Sequence, residues 1–186
     1  MPPKVKITKD NIIAVSIELI RKNGEQAINA RDIAAALCCS TQPIFSNFAT
    51  MEELRSAVSL RAEEICAQYA EKEVGNGKYP PYKASGMAYI RFASEEKELF
   101  KLLYMTPRSS EEIIQGSKNF DASVQHVRNY TGLDPEKAAL FHLELWAFVH
   151  GIASMHATGF LSLDEDLISQ MLTDTYLGLK KQHSTE

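Results

Sequence analysis

Long apolar runs, paired cysteines and phosphate-cradling glycine loops are all missing from this sequence, and each absence removes a class of protein. The purely apolar stretches are only a few residues long, far short of the roughly 20 that cross a bilayer, so neither a transmembrane helix nor a membrane partner is expected. The opening Met1-Pro2-Pro3-Lys4-Val5-Lys6 has no apolar h-region, so it does not read as a secretory signal. Only three cysteines are present, Cys38, Cys39 and Cys66. They are odd in number and lack metal-ligand spacing, which fits reduced thiols in a cytoplasmic protein. The histidines form no HExxH pattern, and there is neither a GxSxG elbow nor a P-loop. No catalytic residue, metal or cofactor is expected, and the chain does not read as an enzyme. No stretch alternates at period two, so the fold should be all-α.

What is present is an ordinary globular composition in 186 residues, 45% hydrophobic and 24% charged, enough for one domain or two small ones. The net charge is -4, but it is unevenly spread. Residues 1–48 carry six Lys/Arg (Lys4, Lys6, Lys9, Arg21, Lys22, Arg31) against Asp10, Glu18, Glu25 and Asp32, and the remainder is acidic. A basic head on an acidic body permits nucleic-acid binding by the head, because local field outweighs total charge. A solvated surface would show the same asymmetry.

Capping signals divide the chain into helices. Thr8 caps a helix to about Asn23 whose buried face is Ile12, Ser16, Leu19 and Ile20, and Gly24 ends it. Asn29, with Asp32 three residues on, opens a second helix that turns Ile33 and Leu37 inward. Ser40 is expected to cap a third, Thr41 to Asn47, with Ile44 and Phe48 on its inner face and Pro43 tolerated in the first turn. Thr50 and Glu53 open a long helix to about Val74, and two glycines with two prolines over 75–81 form the best internal boundary. Five more helices are predicted near 82–93, 95–105, 110–130, 135–158 and 164–181. Asp134-Pro135-Glu136 starts the fourth of these, and a Ser162–Glu165 capping box starts the fifth.

The two short helices around Cys38-Cys39-Ser40 have the proportions of a helix-turn-helix. Thr41, Gln42, Ser46 and Asn47 offer short polar groups that can reach base edges, while Arg31, Ser40 and Thr50 are placed for phosphates. A helical hairpin with a polar solvent face is the competing reading of the same spacing.

Ile12-Ile13, Gly24, Ala30-Arg31-Asp32-Ile33-Ala34, Cys39-Ser40, Ile44-Phe45, Asn47-Phe48 and Glu52-Glu53-Leu54 resemble the DNA-binding domain of TetR-family bacterial transcriptional regulators. Trp146-Ala147-Phe148-Val149-His150-Gly151 is similar to the Trp-His-Gly signature of one subgroup's C-terminal domain. Three positions depart from the family pattern. Cys38 stands where glycine is usual, Phe45 replaces a recognition-helix tyrosine and so lacks its phosphate-contacting hydroxyl, and Met51 replaces a lysine.

The resemblance implies a DNA-binding domain over 1–50, a connecting helix over 51–74 and a helical ligand-binding and dimerisation domain over 75–186. The implied partners are double-stranded operator DNA, a second copy of the chain, and a small-molecule effector whose binding releases a repressor. On the helix at 135–158, Phe141, Leu145, Phe148, Ile152 and Met155 form a bulky stripe expected in the core. Ala147, Gly151, Ser154 and Thr158 form a small-residue face fit for a dimer interface or for close packing within the chain. Aromatic residues Tyr89, Phe92, Tyr104, Phe120 and Trp146, with His150, are the expected effector contacts, though each has core packing as its alternative. A ligand-independent DNA-binding protein and a helical protein-interaction adaptor are the alternative functions.

Overall fold

The computed structural model describes residues 7–106 and 110–184, with side chains over the same span except 110–119. The described residues form α-helices and one 3-10 turn, with no strand among them. Helix α1 (Lys9–Asn23) opens with a reciprocal box: the Asn11 N–H donates to Thr8 Oγ1 at 3.2 Å and the Thr8 N–H to Asn11 Oδ1 at 3.1 Å. It stops at Gly24, whose φ of 78° suits a residue without Cβ. A short 3-10 turn, Glu25–Ala27, follows, which periodicity did not foresee.

Helix α2 (Ala30–Ala36) starts from Asn29, whose side-chain carbonyl accepts the Arg31 and Asp32 N–H groups. Helices α3 (Gln42–Asn47) and α4 (Met51–Gly75) complete the N-terminal half. The body comprises α5 (Pro81–Glu95), α6 (Lys97–Tyr104), α7 (Ser110–Thr131), α8 (Pro135–Thr158) and α9 (Glu165–Ser184).

Two expected caps are corrected. No side chain caps α3, because Pro43, three residues after Ser40, has no N–H for the Ser40 hydroxyl to accept. At α9, Asp164 rather than Ser162 does the work, its carboxylate accepting the Leu167 N–H at 2.9 Å. Burial also differs in detail. Ile17 and Ala34 are buried, whereas Leu19 and Leu37 are half-buried.

The main core runs without a break from Ile12, Ile20, Ile33, Ile44 and Phe48 in the first three helices, through Leu54 and Val58 of α4, to Phe92, Phe100, Ile152 and Leu172. Helix α5 packs most heavily against α4 and α8, and also touches α6 and α9, so it is the central post of the body. A second, smaller cluster (Val127, Ala138, Phe141, Leu145) joins α7 to α8. By length and composition α8 is apolar enough to cross a membrane, a property that short apolar runs had not revealed. Its ridge of Ala138, Phe141, Leu145, Val149, Ile152, Ala153 and Ala157 is nonetheless buried against neighbouring helices. Met155, placed in the core from its spacing, lies 37% exposed.

Candidate nucleic-acid interface and effector cavity

The turn between α2 and α3 is a Schellman motif. The Cys39 N–H donates to Ala34 O at 2.9 Å and the Cys38 N–H to Ala35 O at 3.1 Å. Such a turn needs a left-handed residue, and Cys38 adopts φ 52° at a cost of about 1 kcal/mol for a residue with a Cβ. Buried Ile44 and Phe48 anchor α3, which leaves Gln42, Phe45 and Ser46 on the outside. Phe45 is 51% exposed. The Ser46 hydroxyl donates to Gln42 O at 2.9 Å and keeps its lone pairs outward.

Thr41 is half-buried, and Arg31, Ser40 and Thr50 are exposed. The Thr50 hydroxyl accepts the Glu53 N–H at 3.1 Å, so it caps α4 as expected. Asn47 differs from the sequence expectation. Its amide donates to Pro43 O at 2.7 Å and Ile7 O at 3.3 Å, which ties the end of α3 to the start of α1. Its donor side is committed to the protein. Helix α3 itself carries no charge, and Lys4 and Lys6 lie outside the described residues.

In the body, four of the six expected effector contacts meet in one aromatic cluster. The Tyr89 hydroxyl and His150 Nδ1 are 3.0 Å apart, Trp146 stacks on His150 at 5.0 Å, and Tyr104 meets Tyr89 edge-on at 5.0 Å. Burial holds the Tyr104 hydroxyl far above the ordinary tyrosine range. It also raises the pKa of the Cys66 thiol, 3.6 Å from that hydroxyl, so this cysteine is a poor nucleophile. Phe92 is fully buried in the main core. Phe120 lies apart from the cluster, against His142 at 5.2 Å.

A cavity of about 320 Å³ lies elsewhere in the body, and none of the six residues lines it. Its walls come from four helices. Tyr82, Lys83 and Gly86 of α5 face His126, Val127 and Tyr130 of α7, while Leu145 and Val149 of α8 and Leu172, Thr173 and Tyr176 of α9 close the remainder. The Tyr82 hydroxyl is already held by His142 Nδ1 at 2.8 Å, and Lys83 Nζ donates to Thr173 Oγ1 at 2.8 Å. Desolvation lowers the His142 pKa, which favours the neutral imidazole. One sequence signal pointed here. Gly86 interrupts an apolar helix face, and a Cβ on it would touch Leu172 and Val149 at 3.6 Å.

The small-residue face of α8 is uncovered by the described residues. Nothing lies within 4 Å of a Cβ built on Gly151, while Ala147 and Thr158 are exposed and Ser154 half-buried. Among the described residues no other helix packs closely against this face, which is the arrangement the competing reading called for. Leu140 and Leu143 on α8 and Leu167 and Leu177 on α9 are exposed beside it. Among the described residues no group of three or more His, Cys, Asp or Glu is placed to hold a metal.

A short helix presented by a tight turn, set on a larger helical body with its own cavity, defines a helix-turn-helix regulator. The chain belongs to the TetR family, since residues 82–176 match the family model described as the tetracyclin repressor-like C-terminal domain, and it is a DNA-binding transcriptional regulator. An uncharacterized HTH-type transcriptional regulator of Mycobacterium tuberculosis is 22% identical over 94% of this chain and 80% of its own length. Two solved structures from Rhodococcus sp. RHA1 share the fold. A protein of unknown function has a TM-score of 0.75 at 20% identity, covering 100% of both chains. A TetR-like transcriptional regulator has a TM-score of 0.69 at 13% identity, covering 95% of this chain and 96% of its own. A TetR variant of Acinetobacter baumannii, solved with minocycline, has a TM-score of 0.64 at 13% identity, covering 97% of this chain and 100% of its own.

Proposed function

We propose that this protein is a cytoplasmic homodimeric repressor that binds a pseudo-palindromic operator through α3 and is released by an apolar or amphipathic effector held in the body. The observation that carries the reading is the pairing of an exposed, anchored α3 with a preformed cavity of about 320 Å³ in the helical body, bordered by both hydrophobic clusters. The similar chain from Acinetobacter baumannii, solved with minocycline, supports a small-molecule site in this fold. The uncovered α8 face supports the dimer, which sets two reading heads about 34 to 36 Å apart in successive major grooves. We place the effector in the cavity between α5, α7, α8 and α9. The cluster of Tyr89, Tyr104, Trp146 and His150 lies outside its lining, and the Trp146–His150 stack supports the Trp-His-Gly subgroup.

Gln42, Phe45 and Ser46, with Thr41 and the Asn47 carbonyl, supply base-edge and nearby contacts. Arg31, Ser40 and the Thr50 segment contact phosphates. Fluorescence anisotropy on an operator selected from random duplexes tests this division. Gln42→Ala should cost on the order of 1 to 3 kcal/mol on the operator and little on random DNA, whereas Arg31→Ala should weaken both alike. Equal losses on both DNAs for both variants would refute the assignment.

A further inference from the structure

The cavity's charge pattern narrows the chemistry of its occupant. Among its described lining residues there is one lysine, Lys83, and no aspartate or glutamate. Lys78 and Lys83 share one aromatic ring, their Nζ atoms standing 5.0 and 4.9 Å from the Tyr79 centroid. Lys78 is neutralised by Glu165 at 2.7 Å. Besides that ring Lys83 has the Thr173 hydroxyl, and no carboxylate of the described residues lies within ion-pair distance of it. Burial and the nearby Lys78 charge both pull the Lys83 pKa below the usual lysine range, as befits a cation short of a counter-charge. A second polar group of the lining, the Tyr82 hydroxyl, is occupied by His142. Beyond Lys83 the wall offers Val127, Leu145, Val149, Leu172 and Leu177 as apolar surface, and its other polar groups, among them His126 and Thr131, include no acid.

Resting on the effector reading above, we propose that the cavity takes an amphipathic monoanion, a carboxylate with a medium-length apolar tail. Its carboxylate pairs with Lys83 beside Thr173, and its tail lies along Val127, Leu145 and Val149. One lysine balances one charge, which favours a carboxylate over a phosphate monoester carrying nearly two. The volume of about 320 Å³ is at the low end for small-molecule sites, which favours a compact tail. A cationic amphiphile would meet Lys83 and Lys78 with no acid in the wall to receive it.

Titration calorimetry on the full-length protein with decanoate, 1-decanol and decyltrimethylammonium tests this, together with Lys83→Met, which keeps the stem and drops the charge, and Lys83→Arg, which keeps the charge. Decanoate should bind best. Lys83→Met should weaken decanoate by about tenfold or more, as for a lost charge-assisted hydrogen bond, and spare 1-decanol, while Lys83→Arg should retain decanoate. Circular dichroism of each variant separates a lost contact from a lost fold, and the 1-decanol titration reads the intact cavity independently. No decanoate binding, binding of decyltrimethylammonium as tight as decanoate, or an unchanged decanoate affinity in Lys83→Met would overturn the proposal. Operator binding separates the two readings. Decanoate that binds through Lys83 without altering operator affinity would refute the switch and leave this site. Release by the cation but not by decanoate would refute the monoanion and leave the switch.

Discussion

The reading head and the body solve opposite problems with the same element. In the head, most constraints on α3 are close in sequence, the Asn47 bond to Ile7 across 40 residues being the exception. The Schellman turn at Cys38, the Asn47 bonds to Pro43 and Ile7, and the buried pair Ile44 and Phe48 fix a six-residue helix in one pose. A surface that must match a groove needs such local stiffness. In the body, the cavity is a joint product of four helices, and its polar atoms are tied across them, Tyr82 to His142 and Lys83 to Thr173. Nothing local fixes its shape, so its shape can respond to what occupies it. The difference teaches that recognition and response are separated by how far apart in sequence their constraints lie.

Breaking the dimer is expected to have the largest effect. A Cβ at Gly151 meets no atom of the described residues within 4 Å, so each Gly151→Leu protomer should still fold, while the partner helix is pushed away. Light scattering should give the mass of one 20.8 kDa chain, and operator affinity should collapse toward that of a single head. A variant as dimeric as the parent would show that this face is not the interface.

The seam between the two regions comes next. Arg21 of α1 holds Glu96, at the junction of α5 and α6, with two bonds of 2.9 and 2.6 Å. Glu96 is only 13% exposed, so removing its partner strands a mostly buried carboxylate. Arg21→Ala should cost about 1.5 to 3 kcal/mol in denaturant unfolding and weaken the coupling of effector to operator more than it weakens either binding alone. Full coupling in a destabilised variant would place the communication elsewhere, for instance along α4.

Legibility in the sequence followed the same division. The caps at Thr8, Asn29, Thr50 and Asp134 and the stop at Gly24 were readable because each is a contact within four residues. Ser40 and Ser162 misled because another residue nearby, Pro43 in one case and Asp164 in the other, decides the first turn. Met155 was misplaced because a strict seven-residue rhythm drifts about 20° per heptad on a straight helix, and over α8 the buried ridge moves to Val149, Ala153 and Ala157. The cavity was barely readable. Its walls come from four helices spread along the chain, and only Gly86 hinted at it.

A smaller, stabilising effect is expected at the turn. Cys38→Gly removes the left-handed strain in a motif that otherwise has its full set of bonds. The gain should be under about 1 kcal/mol, because glycine also frees the unfolded chain. An unchanged or lowered unfolding midpoint would mean that the cysteine side chain contributes packing that offsets its strain.

The smallest expected effect sharpens the comparison on the side of the body. His156 is buried at the end of α8, and its Nε2 accepts the Leu163 N–H at 3.1 Å. That bond requires an unprotonated Nε2, and burial together with the Lys97 charge lowers the pKa. His142, bonded to Tyr82, is shifted the same way by burial. With the folded values below the unfolded one of about 6.5, the unfolded chain binds more protons in the window between them. Stability should therefore be full above about pH 6.5 and decline as pH falls through the window, before carboxylates such as Glu165 titrate. His156→Gln keeps an acceptor for Leu163 and cannot titrate, so its unfolding free energy should fall less steeply between pH 7 and 5 than the parent's. The head, where no histidine stands, should add nothing to that slope. An identical slope in both proteins would show that His156 accepts a proton as readily folded as unfolded.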